Sequence, residues 1–316
     1  MGQIMTDKIY DIAIIGGGPA GYSAALYAAR AGFDTLVIEK MMMAGGQMTL
    51  TGDIDNYPGF DEGIDGFTLG MKMQSAAHRF GAQTKVATVT GVDFGGEIKK
   101  ITTSSEDIFA KAVIIATGAD PRTLGIEGEK ELVGRGVHYC AHCDGRFYKG
   151  KTVVVVGGGN SAVGDALYLS KLAKKVILVH RRDTLRATRL YHGQIERCEN
   201  IDVMWNSAVD SFSVDGRVNG VILKNLVDGS LFDVDCDGVF VSIGRKPITE
   251  FLGGALDLDD YGYIVADETT KTSIDGVFAA GDVRTKELRQ VVTAAADGAV
   301  AVHYAEKYIE QLTVGQ

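Results

Sequence analysis

The chain has 316 residues, 46% apolar and 23% charged, enough for two domains of ordinary size and too apolar for a disordered protein. A net charge of −9 argues against a nucleic-acid partner or an anionic membrane surface, both of which need clustered Lys and Arg. No apolar run approaches the roughly 20 residues that span a bilayer, and four cysteines make no disulfide scaffold but fit a reducing, cytoplasmic setting with one close pair available for chemistry.

The first residues, Met1 to Lys8, lack the basic region, apolar core and small-residue cleavage site of a secretory signal. The glycines cluster at the ends of apolar runs, a pattern of backbone approaching ligands closely. From Ile9 an apolar run leads into Gly16-Gly17-Gly18-Pro19-Ala20-Gly21, then an Ala-rich helix closing at Gly32, then a second run at 35–38 ending in Glu39. Strand, G-x-G-x-x-G, helix, strand and acid in this order are a dinucleotide-binding fingerprint in its proper context. Gly16 makes the turn, Gly18 admits pyrophosphate and Gly21 lets helix meet strand, with the helix N-terminus facing the phosphates. Glu39 is placed to accept from a ribose hydroxyl. Met41-Met42-Met43 reads as apolar filler without a chemical role.

Residues 107–119 form a strand ending in Thr117-Gly118, the expected last strand before the chain crosses to another domain. Next comes Cys140-Ala141-His142-Cys143-Asp144-Gly145. A C-x-x-C spacing permits a small-ring disulfide, commonly with a lowered thiol pKa. The alternative is a metal site, but structural zinc needs four ligands and usually a second close pair. His138 and His142 are near, whereas Cys198 and Cys236 form no pair, so no metal is expected.

From Lys151 the first pattern recurs: an apolar run, Gly157-Gly158-Gly159-Asn160-Ser161-Ala162, a helix over 163 to about 172, and a strand at 176–179. Ala162 replaces the third glycine, a tolerated variant. Two copies in matching settings are far more specific than one. They differ at one informative place. Glu39 stands 23 residues after Gly16, and the same count from Gly157 reaches His180, followed by Arg181 and Arg182, with Arg186 four residues further on. A carboxylate repels a 2′-phosphate and guanidiniums bind it, so the first turn is expected to take FAD and the second NADPH. The competing reading of the basic segment is a solvated loop.

Residues 237–245 again form a strand that stops at glycine, Gly244-Arg245. The expected architecture is therefore α/β with two Rossmann-like domains: a discontinuous FAD domain, 1–117 and 248–316, with an NADPH domain, 118–247, inserted and carrying the cysteine pair. A short strand at 275–282 ends in Gly281-Asp282, where the acid either bonds a cofactor hydroxyl or serves as a turn residue. A long Ala-rich helix is expected to open at Arg289-Gln290 and run to about 312, either presenting its N-terminus to a reduced flavin or simply packing. A dithiol beside two nucleotide sites suggests a route from NADPH through flavin to the disulfide. With the nicotinamide site and the cysteines on one inserted domain, that domain has to swing between two positions.

In combination Gly16 to Gly21, Gly45-Gly46-Gln47, Asn56-Tyr57-Pro58-Gly59, Ala116-Thr117-Gly118, Cys140 to Gly145, Gly157 to Val163, His180-Arg181-Arg182 with Arg186, and Ala280-Gly281-Asp282 followed by Arg289-Gln290 resemble the low-molecular-weight, bacterial-type thioredoxin reductases over nearly the whole chain. The resemblance implies a homodimer and FAD contacts at Gln47, Asn56, Asp282, Arg289 and Gln290, with Gly46, Thr117, Gly118 and Gly281 in the same motifs. It also implies that Cys143 faces the flavin, Cys140 exchanges with thioredoxin and Asp144 is the proton-donating acid; Asp144-Gly145 reads equally as a turn. His142 stands where the family often has Thr, and Arg189 extends the basic motif. No cysteine pair follows Glu39, which excludes the layout of the larger glutathione-reductase-like enzymes. Rival readings are a flavin reductase serving another redox protein or taking electrons from ferredoxin, a dithiol oxidase, and a non-catalytic nucleotide-binding sensor.

Overall fold

A computed structural model describes residues 8–50 and 53–314; the segment before Lys8, read above for a leader, lies outside them. The chain forms two compact units, one of residues 8–49, 53–120 and 246–314, the other of residues 121–245. The two connections between them, Ala119–Pro121 and Arg245–Pro247, pair as short strands.

The first unit is built on a sheet in which Ile9–Ile15 lies parallel to Thr35–Glu39 on one side and Asp107–Ile115 on the other, with Gln83–Val86 beyond Thr35–Glu39. The far edge of Asp107–Ile115 is shared. Its first half pairs antiparallel with Lys99–Thr103, and its last residues, Val113 to Ile115, pair parallel with Val277–Ala279. The C-terminal halves of the central strands, Ile12 to Ile15 and Ala112 to Ile115, are continuously apolar and buried because both faces are covered. One face carries helix α1 (Pro19–Arg30); helix α2 (Gly66–Arg79) begins at Asp65, whose carboxylate caps it by accepting from Thr68 N at 2.9 Å. Small residues Ala20, Ala24, Ala28, Ala301 and Ala305 are buried where α1 meets the C-terminal helix. At Gly298 the two backbones come so close that a Cβ would overlap Ala20 O.

In the second unit five parallel strands run in the order Val137–His138, Gly238–Val241, Thr152–Val156, Lys175–Val179, Ile201–Met204. The four-residue α3 (Ala141–Asp144) follows the first of these in sequence, and α4 (Asn160–Ser170) covers one face of the sheet. The short α5 (Arg189–Glu196) packs on the same side through Ile195. An antiparallel meander, Ser207–Asp215, Arg217–Asn225 and Leu231–Asp235, seals the other face through Val218, Val221 and Leu223. Helix α4 begins earlier than its apolar pattern predicts, at Asn160, because Gly159 is extended and caps it.

The C-terminal helix, α6 (Val291–Val314), starts after Arg289-Gln290 and not at them. Arg289 is held outside the helix with its guanidinium 4.2 Å from the centre of the Tyr263 ring. Among the described residues no helix is long and apolar enough to cross a membrane.

Candidate active site

In the first unit the glycine turn sits where Ile9–Ile15 ends. Gly16 has φ +109°, a conformation that favours glycine, and a Cβ there would overlap Ala116 O of the neighbouring strand. Gly18 differs: its backbone is ordinary extended chain, and a Cβ on it would meet nothing within 4 Å. It is the N-cap of α1 yet supplies no side-chain acceptor, with Pro19 following at the first helical position. The first-turn N–H groups are thereby left for an outside acceptor, and the space above them for an anion. This fits a dinucleotide pyrophosphate.

Glu39 does not dangle at the end of its strand. Its Oε2 accepts from Gly17 N at 2.5 Å and its Oε1 from Met41 N at 3.1 Å, which fixes the carboxylate against the turn. Gly45 N donates to Gly17 O at 2.9 Å, bringing Gly46 alongside Gly18. Gln47 donates to Ala119 O and to Asp120 Oδ1, at 2.5 and 3.1 Å, and the Thr117 hydroxyl donates to Ile248 O at 2.8 Å beside Gly118. Asn56 reaches Gln290 at 3.0 Å, immediately before α6. Gly281 lies against Ala20, 2.9 Å from where a Cβ would stand, which sets Asp282 near the start of α1. Thus the chain brings residues from distant sequence positions, 16–21, 39, 46–47, 117–118 and 281–282, around one turn.

A buried ion cluster holds the Gly281-Asp282 turn and was not anticipated from the motifs. Arg284, 2% exposed, gives Nε and Nη2 to the two oxygens of Asp297 at 2.8 and 2.9 Å. Lys286 Nζ and Gly281 N also donate to Asp297 Oδ2, both at 2.8 Å. Burial pushes the Asp297 carboxyl up, but the hydrogen bonds from Arg284 and Lys286 outweigh it and hold the group below the usual carboxylate range. The available signal was an aspartate inside the apolar run Ala294-Ala295-Ala296-Asp297.

The second glycine turn repeats the first. Gly157 has φ +150° and abuts Ser242 O, while Gly159 is extended, caps α4 without a side-chain acceptor, and faces open space. Asn160 and Ser161 are exposed at the first turn and Ala162 is buried beneath it. Asn160 Oδ1 accepts from Thr188 N at 2.9 Å. The basic segment folds back over this turn, since Arg186 N and Ala187 N both donate to Gly158 O, at 2.7 and 3.1 Å. Arg181, Arg182, Arg186 and Arg189 are exposed. His180 has a different place. Its ring is buried against Gly158, its Nε2 bonds Thr184 O at 3.1 Å, and burial lowers its pKa. The imidazole packs under the loop as a neutral ring, and the guanidiniums supply the charge.

Cys140 and Cys143 are joined as a disulfide with Cα atoms 5.3 Å apart. The bond spans α3, which lies on α4. Gly145 meets the Tyr168 and Leu169 side chains, and the His142 ring stacks on Tyr168 at 4.2 Å. Beneath it Asp165, also on α4, accepts from Ser242 Oγ at 2.5 Å, and its Oδ1 lies 3.8 Å from His142 Nδ1. Burial raises the Asp165 carboxyl above its ordinary value. Asp144, the predicted acid, is largely buried and its Oδ2 lies 3.1 Å from His138 Nδ1. Cys198 is half-buried, while Cys236 is buried and its thiol is pushed up to about 12 by that burial. Among the described residues no group of three or more His, Cys, Asp or Glu side chains is placed to hold a metal.

Two glycine turns that each open a helix, together with a disulfide in one chain, narrow the possible relatives, and comparison with known proteins agrees. The model of the pyridine nucleotide-disulphide oxidoreductases matches residues 10–298. The chain belongs to that family. Thioredoxin reductase of Listeria monocytogenes serovar 1/2a is 49% identical over 97% of this chain and 96% of its own length. The crystal structure of thioredoxin reductase from Streptococcus pyogenes superposes with a TM-score of 0.90 at 42% identity, covering 97% of this chain and 100% of that one. A ferredoxin-flavin thioredoxin reductase from Clostridium acetobutylicum gives 0.51 at 33% identity, covering 96% and 98%. Within the family the chain groups with the thioredoxin reductases, and it is an oxidoreductase that uses a flavin and a pyridine nucleotide.

Proposed function

We propose that the chain is an NADPH-dependent thioredoxin reductase with FAD as its flavin. The reading is carried by one observation: the Cys140–Cys143 disulfide spans α3, which packs against α4, the helix that the second glycine turn opens. Bound flavin supplies a carrier that takes hydride from a nicotinamide and gives two electrons to a disulfide. Gly16, Gly18, Pro19, Ala20 and Gly21 offer the backbone cradle for its pyrophosphate, and Glu39, Gly46, Gln47, Asn56, Thr117, Gly118, Gly281, Asp282, Arg289 and Gln290 complete the site. Gly157, Gly159, Asn160, Ser161 and Ala162 cradle the second dinucleotide, and the exposed Arg181, Arg182 and Arg186 meet a 2′-phosphate by charge-assisted hydrogen bonds. That basic set favours NADPH over ferredoxin as donor.

Cys143 takes the electrons, Cys140 exchanges with oxidised thioredoxin, and Asp144 gives a proton to the sulfur that is released. Because nicotinamide site and disulfide share the unit of residues 121–245, that unit has to rotate between two positions for each to reach one flavin; a crosslink fixing the two units should stop turnover, and undiminished turnover would disprove the rotation. The same reading makes the enzyme a cytoplasmic homodimer, checked by sedimentation and cell fractionation. The activity test is NADPH oxidation with and without oxidised thioredoxin. Multiple turnovers are expected only with thioredoxin and only while Cys140 and Cys143 are both present. Thioredoxin reduction by C140S or C143S would refute the path.

A further inference from the structure

We propose that His138 is the positioning residue for Asp144, and that Tyr148 and Arg217 complete a fixed hydrogen-bond chain behind it. The inference rests on Asp144 acting as the acid of the disulfide step. His138 lies on the strand Val137–His138, 7% exposed, with Phe240 at 5.2 Å on one face of its ring. Nδ1 is 3.1 Å from Asp144 Oδ2, and Nε2 is 2.6 Å from the Tyr148 hydroxyl. Arg217 Nη2, on the meander, donates to the same hydroxyl at 3.4 Å and to Asp237 O at 3.4 Å. Burial raises the Tyr148 phenol above its ordinary value, so it stays protonated. One assignment gives every donor in the chain an acceptor. Arg217 donates to Tyr148, Tyr148 donates to Nε2, and Nδ1 is left to carry the proton aimed at Asp144 Oδ2. Two further ionisable groups lie beside Tyr148: Cys236, which is buried, and Lys151, whose Nζ is 5.4 Å from the Tyr148 ring centre.

Such a chain fixes both the tautomer and the orientation of the group that faces the acid, as in other acid–imidazole pairs. Two electrons supplied by a bound reduced flavin, whose own proton would leave to solvent, would break the S–S bond and place a negative charge on each sulfur. One sulfur takes the Asp144 carboxyl proton and becomes a thiol, the other remains thiolate, and Asp144 becomes a carboxylate that receives the Nδ1–H of His138. When the disulfide of oxidised thioredoxin accepts the two electrons and breaks, the Cys140–Cys143 bond re-forms and the thiol proton returns to Asp144. The two thioredoxin sulfurs then take their protons from water. His138 need not change its own charge. It holds the carboxylate in place and offsets its charge beside the thiolate.

The test uses the flavin-loaded enzyme and two readouts, thioredoxin-linked turnover and the pH dependence of iodoacetamide alkylation of the reduced pair. H138F keeps a ring between Tyr148 and Phe240 but removes both nitrogens, while H138N restores an N–H near the position of Nδ1. Loss of the donor leaves a bare carboxylate beside sulfur, so H138F should move the alkylation midpoint to higher pH by about one unit and lower kcat roughly 10- to 100-fold, with KM for thioredoxin little changed. H138N should recover most of both. D144N removes the charge itself and should move the midpoint the opposite way, and H138F added to D144N should change nothing further. Y148F leaves the imidazole in place without its tautomer fixed and should shift the midpoint as H138F does, by less. A normal profile in H138F and Y148F with D144N impaired overturns the role of His138. A normal D144N overturns the acid assignment beneath it.

Discussion

Replacing Gly18 by Val separates binding from folding. The backbone there is extended, φ −80° and ψ −171°, a region valine favours, and a Cβ meets nothing within 4 Å. As an N-cap substitution it should cost the folded state less than about 1 kcal/mol. The same side chain fills the space over the first turn of α1, where the pyrophosphate must approach. Losing one or two charge-assisted hydrogen bonds to backbone N–H groups removes about 2–4 kcal/mol of binding, roughly 30- to 700-fold in Kd. The assay pairs thermal unfolding of the flavin-free protein with titration of FAD, followed by quenching of flavin fluorescence. G18V should keep the midpoint of the parent and lose the flavin. FAD binding within about threefold of the parent would refute the cradle. G16A provides the contrast, because its Cβ overlaps Ala116 O at φ +109° and should weaken the fold itself.

Three further outcomes are expected. R181Q/R182Q should weaken NADPH roughly 10- to 100-fold with little effect on NADH; equal loss of both coenzymes would mean the arginines only shape the loop. D297N should cost about 3–5 kcal/mol at neutral pH by leaving Arg284 and Lys286 buried without their counter-charge. Since the folded Asp297 carboxyl is held low, its contribution is full above the unfolded aspartate value of about 3.9 and is lost as pH falls through the folded value. The gap between D297N and the parent in denaturant melts should therefore close in acid, and a constant gap would contradict the assignment. Cys236, with its thiol pushed up to about 12 by burial, should resist iodoacetamide at pH 8 until the protein is unfolded, as read by mass spectrometry.

The glycine turns were legible because the residues that form them are contiguous in sequence. Gly16 and Gly157 need positive φ at a strand end and Gly18 and Gly159 are extended helix caps, so each turn is written in one short run of sequence, although the atoms that crowd Gly16 and Gly157 come from Ala116 and Ser242. The register that set Arg181 and Arg182 against Glu39 was legible for the same reason. What the sequence hid is long-range or depends on rotation about a turn. Asp144 meets His138 because a strand and a one-turn helix fold back on each other. Asp297 meets Arg284 because α6 returns beside the Gly281 turn. His180 shares the register of the arginines, yet its ring turns inward under Gly158 while theirs stay in solvent. α6 starts at Val291, two residues after the expected Arg289, where Arg289 stacks on Tyr263 and Gln290 N donates to the Thr293 hydroxyl.

The most direct measurement is an anaerobic titration of the purified, flavin-loaded protein with NADPH, followed in the visible spectrum. A flavin and a disulfide in series should absorb about two equivalents of NADPH, and C140S/C143S about one. Oxidised thioredoxin should then restore the oxidised spectrum of the parent but not of the variant. A colourless protein that takes up no FAD, or equal uptake by parent and variant, would contradict the account.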